Sequence, residues 1–158
     1  MVTTDTVEIV SFSPELGAAF SRLNLEWLEK YFLVEAIDRE VLSDPEASII
    51  AKGGDILFAR VGDDVAGTVA LKHEGGGRFE LTKMAVTARS QGAGIGRALL
   101  RAAIARFESL GGSHLYLESH SSLVPALKLY ESAGFEHMRR PAPSEYQRSN
   151  VYMVYRPN

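Results

Sequence analysis

Residues 80–100 read ELTKMAVTARSQGAGIGRALL, and how this stretch is read decides the fold. Together with Phe79, the first seven residues make a mostly apolar strand. Gly92, Gly94 and Gly96 then fall within five positions and run straight into a helix-forming segment, RALLRAAIARFESL. Loose linkers use glycine, but they do not lead directly into a helix. A helix N-terminus carries unpaired N–H groups and the positive end of the helix dipole, so it attracts phosphate. Glycines ahead of it let backbone amides approach an anion with no Cβ in the way. The segment therefore either holds an anion or is a tight strand-to-helix turn with no ligand.

Two phosphate motifs fail here. Counting from Gly92, a GxxxxGK[ST] loop requires glycine at position 97, where Arg97 stands, and no Lys-Ser/Thr pair follows. A dinucleotide GxGxxG also meets Arg97 at its last glycine, and residues 87–91 separate its first glycine from the strand. Glu118, near the end of the next strand, is the one feature that suits a nicotinamide enzyme, as a ribose-binding acid.

Outward from this centre the chain alternates strands and helices. Residues 7–12 form a strand candidate, and Ser13-Pro14 caps a helix over residues 14–31, where Leu16, Phe20, Leu23, Trp27 and Tyr31 recur at helical spacing. A shorter helix spans 36–43 and stops at Asp44-Pro45. ILFARV and VAGTVALKH flank the turn Gly62-Asp63-Asp64, and Gly75-Gly76-Gly77 leads to FELTKMAV, giving an antiparallel meander. A helix over 94–110, stopped by Gly111-Gly112, precedes the strand SHLYLES. A helix over 123–133 closed by Gly134 and a last strand, NVYMVYR, complete the chain. No repeat or linker interrupts it, so residues 1–158 are expected to form one mixed α/β domain.

Composition bounds the function. The 158 residues are 46% hydrophobic and 23% charged, as in ordinary globular proteins, and the net charge of −3 argues against wholesale binding to nucleic acid or an acidic membrane. With no cysteine, disulfides, thiolate metal sites and a cysteine nucleophile are excluded. The N-terminus lacks a secretory layout and no apolar run reaches membrane-spanning length, so a cytoplasmic protein is expected. His73 and His114 lack metal-ligand spacing, and no metal is expected.

Gln91, Gly94 and Gly96 match the (Q/R)xxGx(G/A) signature of the GNAT superfamily of N-acetyltransferases, and residues 129–135, LYESAGF, match its LYxxxGF element. The chain resembles that superfamily most specifically over residues 55–138. The resemblance implies a single-domain α/β fold: a central twisted mixed sheet of six or seven strands, mostly antiparallel, with a splayed parallel pair at the cofactor site and about four flanking helices. It also implies acetyl-CoA as co-substrate. Met84, Ala85 and Val86 would bond the pantetheine arm, and Gln91, Gly92, Ala93, Gly94, Ile95, Gly96 and Arg97 would wrap the pyrophosphate. Arg101 is a further phosphate candidate, or simply a solvated helix residue. Many relatives carry an asparagine before the LY helix. Here Leu123 stands near that place, and Ser119, Ser121 or Ser122 are candidates for its contact.

Acetyl transfer from a thioester to an amine needs a base for the amine, a donor for the oxyanion and an acid for the thiolate. A backbone N–H near Met84 suits the oxyanion. By resemblance Tyr130 is the acid, the alternative being that it only packs its helix. By resemblance to some histone-acetylating relatives Glu80 is the candidate base; otherwise it is a solvated residue at the strand start or a partner of Lys83 or Arg78. In a regular strand 80, 82, 84 and 86 share one face, which would put Glu80 beside Met84. His120 is a possible proton relay or a bystander.

The acceptor wall is expected from the stretch between the first two helices, with Trp27, Tyr31 and Glu35 as substrate-binding residues beside Phe32, Glu29 and Asp38. Tyr146 and Arg148 are candidates for a second wall. The expected function is acetylation of a primary amine (a small amine, an amino acid or a lysine side chain) by direct attack in a ternary complex. The expected partner is a small-molecule or peptide amine and the expected state a monomer or homodimer. A non-catalytic acyl-CoA sensor on the same scaffold is the rival.

Overall fold

The computed structural model describes residues 6–157. It contains one seven-stranded sheet with the order β1-β2-β3-β4-β5-β7-β6. The first half pairs antiparallel in sequence order: β1 (Val7–Ser11) joins the three-stranded meander expected from the turn signals, β2 (Asp55–Val61), β3 (Asp64–His73) and β4 (Arg78–Val86). Between β1 and β2 lie α1 (Gly17–Tyr31), entered through a 3-10 turn at Pro14–Leu16, and α2 (Ala36–Ser43). A π-helical turn at Glu46–Ile50, not foreseen in the pattern, returns the chain to the sheet.

The second half is wound differently. After β4, α3 (Ile95–Ser109) crosses over to β5 (His114–Ser119), which lies parallel to β4. Then come α4 (Val124–Ser132), the three-residue strand β6 (Phe135–His137) and β7 (Val151–Tyr155). β7 pairs antiparallel with both β5 and β6 and so lies between them. β6 had no signal of its own, being three residues long and following directly on the helix that Gly134 ends.

Two apolar clusters bury the faces of the sheet. Leu57, Leu71, Phe79, Leu99, Phe107 and Met153 pack on the α3 side. Phe20, Leu28, Leu42, Ile56 and Phe58 pack under α1 and α2.

One irregularity positions the site. In the β3–β4 ladder Thr68 faces Ala85 while Ala70 faces Thr82, so Lys83 and Met84 together oppose Val69. This is a β-bulge, and Lys83 is the only non-glycine among the described residues with positive φ, at 54°. The extra residue reverses the alternation. Met84 and Val86 pack on the α3 side with Phe79 and Leu81, whereas Glu80, between those two residues, points to the opposite face. The expectation that Glu80 and Met84 share a face is therefore corrected, because it assumed an unbroken strand.

Candidate active site

β4 and β5 stay paired over only three positions, ending at Glu80 opposite Tyr116, and then part. Their divergence opens a cleft of about 900 Å³ that runs between α1, the glycine segment and α4. Glu80, Tyr130, Met84 and Val86 line it, as do Gln91, Gly92, Gly94, Ile95, Gly96 and Arg97. Trp27 and Tyr31 form part of its other wall. Ala85, Ala93 and Glu35 are not among the lining residues.

The glycine segment meets the requirements of an anion cradle. Gly92 and Gly94 adopt φ of 85° and 80°, and a Cβ on either would meet nothing within 4 Å, so both backbones face open space. Gly94 starts α3 with no side-chain cap, leaving the first N–H groups of the helix without an intrahelical partner. The Gln91 side chain folds back and donates from Nε2 to the Val86 carbonyl at 3.3 Å, tying the loop to the end of β4. Arg97 is exposed beside it. Lys128 on α4 also lines the cleft. It was overlooked because a lone lysine in an amphipathic helix carries no motif.

Glu80 is only 4% exposed. Burial, reinforced by the nearby Glu118 charge and eased in part by Lys72 and Lys83, pushes its carboxyl up to about 7. Glu118 also lines the cleft, but it accepts a 3.0 Å bond from Arg140 Nη1, whose Nη2 holds Ser149. That ion pair occupies the acid on which a dinucleotide reading depended. Tyr130 is buried, which raises its phenol to about 12. Among the described residues its hydroxyl has no hydrogen-bond partner, although it borders the cleft.

A buried ionic cluster closes one end, and pattern alone did not show it. Lys83 Nζ, at the bulge, donates to Asp38 Oδ1 at 2.6 Å and to the Tyr146 hydroxyl at 3.2 Å. Asp38, on α2, has 0% exposure and also accepts from Arg148 Nη1 at 2.7 Å, Arg148 Nη2 at 2.8 Å and the Glu35 amide. Burial opposes its ionisation, but Arg148 and Lys83 prevail and hold it at about 2. Glu35 accepts from Arg148 Nη1 and from the Gln147 amide, so its carboxylate is engaged by the segment before β7. Tyr146 and Arg148 do line the cleft.

The rim is completed from β5. His120 Nδ1 lies 2.7 Å from the Ser122 hydroxyl, and its ring meets Phe32 edge-on with centroids 5.5 Å apart. Ser119, Ser122 and Leu123 line the cleft, whereas the Ser121 amide donates to the Asn150 side chain. Among the described residues no group of three or more His, Asp or Glu is placed to hold a metal ion. Nor is any helix there long and apolar enough to cross a membrane.

Comparison with known proteins gives the same architecture. An uncharacterised N-acetyltransferase of Bacillus subtilis, YsnE, is 33% identical over 130 residues, covering 76% of this chain and 86% of the relative. An acetyltransferase of the GNAT family from Staphylococcus aureus superimposes with a TM-score of 0.85 at 18% identity, covering 94% of this chain and 98% of the other. The PaiA N-acetyltransferase of Thermoplasma acidophilum, solved in complex with coenzyme A, gives a TM-score of 0.74 at 18% identity and covers 96% of this chain and 99% of that one. Residues 20–135 match the acetyltransferase (GNAT) family. With the splayed strands, the glycine cradle and the bulged β4 in place, the chain belongs to the GNAT family of acetyltransferases.

Proposed function

We propose that this enzyme transfers an acetyl group from acetyl-CoA to a primary amine by direct attack, with both substrates held in the one cleft. The observation that carries this reading is a buried carboxyl group, Glu80, lining the cleft that the glycine cradle enters, where burial and the Glu118 charge push it up to about 7. A base poised near neutral pH suits an amine that must lose a proton to attack. A sensor has no need of one.

The fit to the cofactor rests on open backbone at Gly92 and Gly94 and on the uncapped α3 N-terminus. Bound there, acetyl-CoA would supply an activated acyl group. The amides of residues 91–97 would hold its pyrophosphate, with Arg97 adding charge. The Met84–Val86 backbone would hold its arm. The bulge makes a backbone N–H near Met84 available to the developing oxyanion, since the extra residue drops out of regular ladder pairing. Glu80 takes the proton of the amine. The Tyr130 phenol, protonated throughout the neutral range, gives one to the departing thiolate. Trp27 and Tyr31 form the acceptor wall. Glu35 fixes Arg148 and the segment before β7 rather than touching the acceptor.

Calorimetric titration with acetyl-CoA, with NADH as control, followed by thiol-release assays on an amine panel, tests this reading. Binding of acetyl-CoA alone, with amine-dependent thiol release, is expected. Binding of NADH instead, or of neither ligand, overturns it.

A further inference from the structure

Arg148 is held in an unusual way. Asp38 occupies the end-on face of its guanidinium, one oxygen on Nη1 and the other on Nη2. Glu35 takes the remaining proton of Nη1 at 3.0 Å. The plane lies 4.7 Å from the centre of the Tyr146 ring and 5.9 Å from that of Phe32. A guanidinium has five N–H donors, so the side-on face, Nε–H with the second Nη2–H, is left over. Among the described residues nothing accepts from Nε, which is not sealed from solvent, and Asp38 is the only acceptor on Nη2. Arg148 is 19% exposed, and it lines the same cleft as Glu80, packed beside Tyr146.

We propose that this free fork binds a carboxylate of the acceptor, so that the substrate is an amino acid: one molecule carrying the amine that Glu80 deprotonates and the carboxylate that Arg148 receives. The proposal rests on the acetyltransferase reading above. Two parallel N–H donors at fixed spacing match the two oxygens of a planar carboxylate. Orientation is fixed before binding, because Asp38 and Glu35 clamp the rest of the group and little side-chain freedom remains to be lost. Charge alone does not do this work. Lys83 and Arg148 are balanced by Asp38 and Glu35, so the cluster has no net attraction for anions in general. Discrimination comes from paired hydrogen bonds, which selects for a carboxylate over a diffuse anion. The aromatic faces of Phe32, beside Arg148, and of the neighbouring Trp27 suit an apolar side chain on the same molecule.

The test uses acceptor pairs that differ only in the carboxylate: phenylalanine with phenethylamine, tryptophan with tryptamine, and leucine with isoamylamine. In the wild-type enzyme the amino acid of a productive pair should show a kcat/KM about ten- to a hundred-fold above that of its partner. In Arg148→Gln that ratio should fall towards one, and Arg148→Lys, which keeps the charge but loses the fork, should retain only part of it. The ratio is internal to each protein, so partial unfolding of a variant does not distort it. A wild-type ratio of one or less overturns the proposal, as does acetylation of neither member of any pair by an enzyme that binds acetyl-CoA. Failure to bind acetyl-CoA at all would remove the acetyltransferase reading and this proposal with it.

Discussion

In the proposed mechanism Glu80 couples activity to stability. Its carboxyl rises from an ordinary 4.5 to about 7 in the folded chain, because burial and Glu118 disfavour the charge. As a base it works only when ionised, so turnover should fall as pH drops through 7. Stability runs the other way. The folded state holds this proton more tightly than the unfolded chain, so the wild type loses stability as pH rises from 4.5 to 7. At about 1.4 kcal/mol per pH unit the loss is of order 3 kcal/mol. Glu80→Gln cannot ionise. It should lower kcat by about a hundred-fold or more, flatten the acid limb of the pH–rate profile, and unfold at higher denaturant than the wild type at pH 8. An unchanged profile would clear Glu80 of the base role.

At the scale of the element, the bulge in β4 is where a strand becomes part of a site. Lys83 holds φ of 54°, which costs a non-glycine residue about 1–2 kcal/mol, and Asp38 and Tyr146 anchor its side chain. Lys83→Gly and Lys83→Met both lose the anchor, but only glycine also relieves the backbone. Urea unfolding should find the glycine variant the more stable by about 1 kcal/mol. Both variants should move the acid limb to higher pH, since the Lys83 charge helps Glu80 to ionise. In the next element, Gly94→Glu puts a carboxylate into open space at the α3 N-terminus. It should weaken acetyl-CoA binding by more than about ten-fold, as read by calorimetry, through charge and bulk facing the phosphates. The glycine cradle and the LYESAGF segment were legible in the sequence because each is a local pattern. The bulge was not. It is defined by two residues opposing one on another strand, and nothing in FELTKMAV marks where the alternation breaks.

The whole molecule is joined by the cluster around Asp38, which links α2 to β4 across 45 residues and to the segment before β7 across 110. Removing Asp38 takes a partner from two cations, the buried Lys83 and the half-buried Arg148. Asp38→Ala should therefore cost about 3–5 kcal/mol in urea unfolding, with a loss under 1 kcal/mol contradicting the role given to the cluster. Separation on this scale also explains what the sequence hid. Glu35 and Asp38 follow closely on Trp27 and Tyr31 in the sequence, while the arginine that engages both acids lies more than a hundred positions away. The place of β7 between β5 and β6 has a consequence for synthesis. Until Val151–Tyr155 has left the ribosome, β6 has no neighbour in the sheet and β5 is a bare edge. The nascent chain can complete its meander and glycine cradle early, before the strand that follows Tyr146 and Arg148 has docked. A chain clipped before Val151 should retain the cradle segment and the Trp27–Tyr31 wall, and leave the segment carrying Tyr146 and Arg148 without the strand that follows it.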